Sequence, residues 1–355
     1  MYSKLRYIPY IFWKKRPIHL TLFVTKRCNS FCPFCFYRYT SEEDRTELSF
    51  EEIERISNSI GPLLWLAFSG GEIFLRDDIV EISKIFYKTN KPSIMLFSTN
   101  GLLPERIKEK TEGILKSCTK SIVVVKLSLD GIGSEHDSFR GVQGAFDKIM
   151  KTYLLLNETA QKYRNLELGI NTVFYSENQN RMEDIIKFVR TLDGIKTHTI
   201  SLIRGDIPGE FKKVDIKKYQ YYTNMLKDSL RTYGFRGAKL KAAQDILQHN
   251  LIYEISIRKR PLLPCYAGRL SLVITETGDI YPCENFSKKM LLGNLREEGY
   301  NLKKIINSPR AHEIISFIKK GCYCTHECYL MMSILFNPLS YPALLKEYLK
   351  LLFFS

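Results

Sequence analysis

Three cysteines lie close together near the beginning of the chain, in the stretch CNSFCPFC. Cys28, Cys32 and Cys35 follow one another at intervals of four and three residues, with Pro33 between the last two. Three thiolates at this spacing suit one face of an iron–sulfur cluster better than disulfide pairing, and they leave one iron without a protein ligand. Because a cluster that only carries electrons is usually closed by four cysteines, the open iron indicates a further function. The alternative is a structural zinc site, although such sites favour two separated pairs of cysteines.

Six more cysteines follow in the chain, five of them after residue 264. The five are Cys265, Cys283, Cys322, Cys324 and Cys328. An odd total of nine in a chain expected to be cytosolic argues against a framework of disulfides. Cys118 stands alone before the apolar run SIVVVKLSL and is predicted to be a small buried hydrophobe.

The composition is that of an ordinary globular protein with an excess of basic residues. The 355 residues include 53 basic and 38 acidic ones, a net charge of +15 that suggests an anionic partner. Because the basic residues are spread along the chain, no specific nucleic-acid partner is expected. No apolar run is long enough to cross a membrane, and basic residues interrupt the N-terminus, so we expect a cytoplasmic location. The aromatic and basic ends are predicted to pack on the protein, with peripheral contact to a membrane as the alternative.

Short β-branched runs alternate with amphipathic segments between residues 19 and 204. The runs predict strands at 19–25, 63–69, 93–99, 121–130, 166–174 and 198–204. The other segments predict helices at 49–60, 77–89, 104–117, 144–164, 180–192 and, beyond the last strand, 215–233. Short connections between such elements favour parallel strands with right-handed crossovers, and therefore an α/β partial (β/α)6 barrel. The later stretch RLSLVITETGDIYPC (269–283) predicts a hairpin.

Short polar motifs follow successive predicted strands, where the functional loops of such a barrel lie. They are the cysteine stretch, SGGE (69–72), STNG (98–101) and SLDG (128–131), with HDSFRG (136–141) shortly after. In this order they resemble the motifs of radical S-adenosylmethionine (SAM) enzymes, and the resemblance covers residues 19–204. Ile73 stands where that family usually has proline, a departure that removes no ligand. The resemblance implies that Cys28, Cys32 and Cys35 hold a [4Fe–4S] cluster whose open iron binds exchangeable SAM.

The same resemblance implies a set of residues that bind SAM. They are Gly70, Gly71, Glu72, Ser98, Asn100, Ser128, Arg140 and Asn171. The two glycines allow a close approach to the methionine moiety because they have no Cβ, and Glu72 is expected to accept a hydrogen bond from its ammonium. Arg140, with Ser128 nearby, is expected to hold the carboxylate. For Ser98, Asn100 and Asn171 the alternative is that the side chain stabilises a turn or is buried with its hydrogen bonds made inside the protein.

The resemblance also implies a reaction. One electron passes from the cluster to SAM, which is cleaved to methionine and a 5′-deoxyadenosyl radical, and the radical abstracts hydrogen from a substrate. We predict a peptide or protein substrate, as for a maturase, with a small-molecule or lipid precursor as the alternative. A non-catalytic electron carrier or a zinc-stabilised binding protein is the alternative from another class. The expected protein partner is an electron donor such as a flavodoxin or a ferredoxin.

The second group of cysteines resembles the SPASM or twitch extension of such enzymes. Cys265 and Cys283 flank the predicted hairpin, whose turn is placed at Gly278. Five cysteines are too few for two fully ligated clusters, so we predict one auxiliary [4Fe–4S] cluster. Its predicted ligands are Cys265, Cys283 and Cys328, with Cys324 or Cys322 as the fourth and His326 as a possible substitute. Zinc is the alternative occupant.

These interpretations divide the chain into five predicted parts. They are an N-terminal extension (1–18), the barrel (19–210), a helical linker region (211–260), a small α+β auxiliary-cluster domain (261–335) and an amphipathic tail (336–355).

Overall fold

One nine-stranded sheet organises the parts of the chain that the structure, a computed structural model, describes: residues 1–39, 45–231 and 237–353. The strands are β1 (His19–Thr25), β2 (Trp65–Gly70), β3 (Ile94–Thr99), β4 (Ile122–Ser128), β5 (Leu166–Phe174), β6 (Ile195–Leu202), β7 (Ser271–Ile274), β8 (Asp279–Tyr281) and β9 (Gly293–Asn294). Their order is β6-β5-β4-β3-β2-β1-β7-β8-β9. The first six pair in parallel, as the predicted partial barrel requires.

Helices connect the parallel strands and then cover the open side of the sheet. They are α1 (Phe50–Ser59), α2 (Ile79–Thr89), α3 (Pro104–Ser117), α4 (Ser134–Arg140), α5 (Ala145–Lys162), α6 (Met182–Arg190), α7 (Ile216–Arg231), α8 (Ala238–Arg258), α9 (Leu302–Ile306), α10 (Pro309–Gly321), α11 (Glu327–Leu335) and α12 (Tyr341–Phe353). The predicted start of α1 is confirmed by a capping box, in which Ser49 and Glu52 each bond the other's backbone amide. The last two residues of the helix predicted over 215–233 lie outside the described residues.

The two faces of the parallel sheet differ in chemistry. On β4, Val123, Val125 and Leu127 are fully buried and belong to the same hydrophobic core as Ile149 of α5. The alternate residue Lys126 is only partly buried and lies on the opposite, inner face. The apolar side therefore holds the barrel together, while the inner side presents polar groups.

The hairpin of the second cysteine group is part of the same sheet. β7 pairs in parallel with β1, from His19 opposite Ser271 to Leu22 opposite Ile274, and β8 and β9 then add antiparallel strands. Gly278 occupies the predicted turn with φ +87°, a conformation that suits glycine. The auxiliary cysteines are therefore attached rigidly to the strand that leads into the first cysteine stretch.

Part of each terminal segment packs on the protein, while other large apolar side chains there, including Trp13 and Phe353, are exposed. Residues Lys4–Ile11 form a 3₁₀ helix whose Tyr7 is buried with Met332 of α11. At the other end, Leu344 and Leu351 of α12 belong to an apolar cluster with residues of α8. Within the described ranges no single helix is long and apolar enough to cross a membrane. The segments Glu327–Leu335 and Pro338–Phe353 reach that length and apolar composition when taken as one, although they are bent by 92° relative to each other.

Candidate functional site

The cysteine loop (residues 26–35) leaves the end of β1 and crosses directly over the glycines after β2. The amide of Gly71 donates to the carbonyl of Thr25 at 2.8 Å, and that of Glu72 donates to the carbonyl of Arg27 at 2.8 Å. A Cβ added at Gly71 would lie 2.2 Å from the Arg27 oxygen, and one at Gly70 would lie 2.3 Å from the Thr25 oxygen. The close approach that requires glycine here is thus made by the backbone of the cysteine loop itself.

The far end of the cysteine loop is held over the end of β4. The amide of Phe31 and the hydroxyl of Ser30 donate to the carbonyl of Arg140 at 2.8 and 3.0 Å. Phe34 packs against Tyr175, which follows β5, with ring centroids 4.3 Å apart. The loop is therefore anchored across the top of the barrel.

The three thiols of this loop act on one another electrostatically. Cys28 is partly exposed to solvent. Partial burial raises its pKa most, and the charges of Glu72, Cys32 and Cys35 add to this, bringing it to about 11. Burial and the neighbouring Cys32 also raise the pKa of Cys35. Thiols that repel one another as anions are a donor set for a cation, which removes the repulsion when it binds.

Glu72 is fully buried, and its carboxylate is used inside the protein. It accepts hydrogen bonds from the amide of Phe74 at 3.1 Å, the hydroxyl of Thr99 at 2.9 and 3.0 Å and the amide of Asn100 at 2.7 Å. Burial raises the pKa of Glu72 to about 7, against the opposing effect of these donors. The sequence predicted the carboxylate but not these partners, which join the end of β3 to the loop after β2.

Arg140 is likewise buried and paired. Its guanidinium forms a salt bridge with Asp130 and donates to the carbonyl of Ser128 at 2.9 Å. A further contact of 3.5 Å reaches the sulfur of Cys32. Asp130 in turn accepts from the amide of Val173 at 2.8 Å. Arg140 thus links the cysteine loop to the ends of β4 and β5, and Asp130 is a residue of this arrangement that the sequence analysis did not single out.

The remaining predicted SAM-binding side chains lie along the upper inner face. Asn100 donates to the side chain of Asn29 at 2.8 Å and approaches the sulfur of Cys28 at 3.8 Å. Asn171 is opposite Ser128 in the sheet and accepts from Ser201 at 2.8 Å. Ser98 is partly exposed on the neighbouring strand. The structure therefore brings the predicted residues to one end of the barrel.

Four of the five later cysteines act on one another. Burial raises the pKa of Cys283 well above its usual value, and the charges of Cys324, Cys265 and Cys322 add to this. The pKa of Cys324 rises to about 12, first by burial and then through Cys265 and Cys322. A cavity of about 320 Å³ borders Cys265 and Cys322.

Cys328 has a different set of electrostatic neighbours. Its charge acts on Lys126 and Arg204 of the barrel and on Tyr329 of α11. It lies inside α11, whereas Cys324 lies in the extended segment before that helix. Cys322 and Cys324 thus act electrostatically on the hairpin cysteine Cys283, whereas Cys328 shares with Cys283 an effect on Tyr329.

A buried ionic network joins the barrel to the auxiliary region. Arg204, just after β6, donates to Glu284 at 2.8 Å and lies 3.4 Å from Glu327. His326 lies 2.9 Å from the same Glu284. Burial and Arg204 oppose protonation of His326, but Glu284 outweighs them and raises its pKa to about 9. His326 therefore serves this network rather than the thiols.

Neither group of thiols has the geometry of a single-ion site. Across the described ranges, no three thiol, imidazole or carboxylate groups are close enough to hold one metal ion. Zinc would draw sulfur ligands to about 2.3 Å from a common centre. Thiols that are separate yet within electrostatic range fit a larger group with several irons, to which each cysteine contributes one bond.

Two family sequence models match the chain in the same two regions. The model of the radical SAM superfamily matches residues 22–189. The SPASM model of an iron–sulfur cluster-binding domain matches residues 265–329.

Individual proteins resemble the chain over most of its length. The subtilosin biosynthesis protein AlbA of Bacillus subtilis is 30% identical over 307 residues, which are 84% of this chain and 61% of AlbA. An AdoMet-dependent heme synthase of Methanosarcina barkeri is 26% identical over 298 residues, 78% of this chain and 79% of that protein. Among solved structures, Streptococcus suis SuiB bound to S-adenosylmethionine aligns with a TM-score of 0.61 at 20% identity. That alignment covers 85% of this chain and 68% of SuiB, and it shows a common fold.

Proposed function

Since the chain belongs to the radical SAM superfamily and carries a C-terminal SPASM-type cluster domain, we propose that it is an enzyme that generates a 5′-deoxyadenosyl radical and modifies a peptide with it. The observation that carries the proposal is the packing of the three-cysteine loop directly on the glycines that follow β2, through backbone hydrogen bonds to Gly71 and Glu72.

In this proposal Cys28, Cys32 and Cys35 hold the [4Fe–4S] cluster to which SAM binds. The cluster and SAM, when bound, supply one-electron cleavage of SAM and so the radical that abstracts hydrogen. The protein provides the position and the exclusion of water. Ser98, Asn100, Ser128 and Asn171 are proposed to contact SAM from the ends of β3, β4 and β5.

Glu72 and Arg140 are proposed to work mainly as positioning residues. Their carboxylate and guanidinium already bond the protein, so they fix the loops whose backbone faces SAM. The glycines allow the cysteine loop to lie directly on the loop after β2. A hydrogen bond that Glu72 accepts from the SAM ammonium, and one that Arg140 donates to the SAM carboxylate, stay predictions.

For the auxiliary cluster we propose Cys265, Cys283, Cys322 and Cys324 as ligands, because these four thiols act on one another. This choice differs from the prediction that included Cys328. A cluster there would sit beside the network of Arg204 and Glu284 at the edge of the barrel.

A peptide substrate is supported by the relative AlbA, whose name assigns it to bacteriocin biosynthesis. The second candidate is a small-molecule substrate, which the heme synthase of Methanosarcina barkeri supports because the chain spans 79% of that protein. An electron donor such as a flavodoxin or ferredoxin is proposed to reduce the clusters. The nine free cysteines suit a reducing compartment, so a cytoplasmic location remains part of the proposal.

The proposal is tested with protein reconstituted anaerobically with iron and sulfide, then given dithionite and SAM. We expect 5′-deoxyadenosine, detected by mass spectrometry, and none from a Cys35→Ala variant. A Cys118→Ala variant is the matched control, because Cys118 is buried away from both groups and should leave the product unchanged. A reconstituted, reducible cluster that forms no 5′-deoxyadenosine would contradict the proposal.

A further inference from the structure

Lys126 occupies an unusual place for a lysine. It lies within β4, whose neighbours Val125 and Leu127 are fully buried in the hydrophobic core. Its own side chain extends from the inner face, at the level of Ser98 on β3 and Gly169 on β5. Only a polar barrel interior can accept a cation at such a position.

The adjoining strands leave a path for this side chain. Gly169 has no side chain, and a Cβ added there would lie 3.4 Å from Cε of Lys126. The lysine stem therefore runs over Gly169 toward β6, where the ammonium donates to the hydroxyl of Thr199. This contact places the ammonium beyond β5, next to β6.

Among the residues that the structure describes, the ammonium has no ion-pair partner. In the three described ranges no carboxylate lies within the 4.0 Å of an ion pair with Lys126. More distant charges act on it: Asp245 and Glu327 favour the cation, whereas Lys241 opposes it. Burial lowers the pKa of Lys126 to about 8. An ammonium can donate three hydrogen bonds, and its contact here is to a neutral hydroxyl.

A second polar group nearby is also unsatisfied. The hydroxyl of Tyr329 on α11 is buried and has no hydrogen-bond partner among the described residues. Tyr329 packs against His326, with ring centroids 4.7 Å apart, and the charge of Cys328 acts on both Tyr329 and Lys126. Buried polar groups usually have partners, and a polar ligand would supply them here.

We propose that Lys126 binds a carboxylate of the substrate inside the barrel. The inference rests on the proposed function and adds the substrate class: a molecule with an anionic carboxylate near the carbon that loses hydrogen. Lys126 lies level with Ser98 on β3 and two residues, about 7 Å along the strand, before Ser128, both of which are proposed SAM contacts. A carboxylate held at that depth would place neighbouring C–H bonds toward the radical. A charge-assisted hydrogen bond from the ammonium to a carboxylate is stronger than its present bond to a neutral hydroxyl.

The binding step is tested first, without catalysis. The reconstituted protein is treated with formaldehyde and cyanoborohydride, and methylation of each lysine is followed by peptide mass spectrometry with propionate or propionamide present. We expect propionate to slow methylation of Lys126 by about tenfold or more and propionamide to have little effect. Exposed Lys196 on β6 is the control and should respond to neither compound. Equal protection by acid and amide, or none by either, would overturn the proposal.

The catalytic step is tested with deuterated propionate and deuterated propionamide as probes. With dithionite and SAM, the deuterium found in 5′-deoxyadenosine reports whether the probe lies near the radical. We expect more deuterium to be transferred from propionate than from propionamide. Transfer from propionate should fall roughly ten- to a hundredfold in Lys126→Met and be partly kept in Lys126→Arg. Lys196→Met should behave as the unaltered protein.

The two assays separate the two proposals. If no protein, including the unaltered one, forms 5′-deoxyadenosine, the proposed function fails, while the methylation assay still decides whether Lys126 binds carboxylates. If 5′-deoxyadenosine forms and Lys126→Met transfers deuterium from propionate as well as the unaltered protein does, Lys126 is not the anchor.

Discussion

The backbone amide of Asn100 donates a 2.7 Å hydrogen bond to the fully buried carboxylate of Glu72. This bond connects the loops after β2 and β3, and Thr99 reinforces it through its hydroxyl. The next loop along, the cysteine loop, is bonded to the amide of Glu72. Three strand ends therefore depend on one residue, which makes Glu72 a sensitive point for stability.

Replacing Glu72 by Gln should remove a pH dependence of folding. Because burial raises the pKa of Glu72 to about 7 in the folded protein, its contribution to stability is full below about pH 4.5 and is lost as the pH rises through 7. The free energy of unfolding of the metal-free protein should fall by up to about 3 kcal/mol over that window, and less in Glu72→Gln. Urea denaturation at several pH values measures this. The exposed Glu109→Gln should keep the slope of the unaltered protein, and an equal slope in Glu72→Gln would contradict the assignment.

Breaking the pair of Arg140 and Asp130 should be costly. In Asp130→Asn the guanidinium stays buried without its counter-charge, so we expect a loss of about 3–5 kcal/mol in the free energy of unfolding. The matched control is Glu135→Gln, which breaks a pair with Arg181 at 2.8 Å. That pair is exposed and should contribute less than about 1 kcal/mol. Similar losses in the two variants would show that the buried pair has no special role.

A methyl group at Gly71 should prevent assembly of the first cluster site. The added Cβ would meet the carbonyl oxygen of Arg27 at 2.2 Å, so the cysteine loop must move away from β2. We expect Gly71→Ala to lose most of the iron of one cluster after reconstitution and to form no 5′-deoxyadenosine. Gly61→Ala is the control, since no atom lies within 4 Å of its added Cβ. Full iron content in Gly71→Ala would show that the cysteine loop can move away from β2 without loss of the first cluster.

The ligands of the auxiliary cluster can be distinguished by iron analysis. Cys324→Ala should reduce the iron content from about eight to about four atoms per chain, because one of two four-iron clusters is lost. Cys328→Ala should keep about eight, since Cys328 is not among the thiols that act on Cys283 and Cys324. Electron paramagnetic resonance of the reduced protein gives an independent count of clusters. A loss of about four irons in Cys328→Ala would instead support the ligand set predicted from the sequence, which includes Cys328.

Local patterns in the sequence were sufficient for the elements of the barrel. Alternation of apolar runs and amphipathic segments predicted β1–β6 to within a few residues, and Ser49 with Glu52 predicted the start of α1. These features depend on residues close together in the chain, so spacing alone reveals them. The same holds for the motifs, since each follows a strand and parallel strands end together.

The sequence by itself thus determined the fold class, the family and the residues available for the two cysteine groups. Tertiary structure alone decided which of them face one another. The start of α11 separates Cys324, in the extended segment before the helix, from Cys328 within it, and the pairing of β7 with β1 joins the hairpin to the barrel. The partners of Glu72 and the contact of Lys126 with Thr199 were decided in the same way, because contacts between distant segments depend on packing, which residue spacing does not encode.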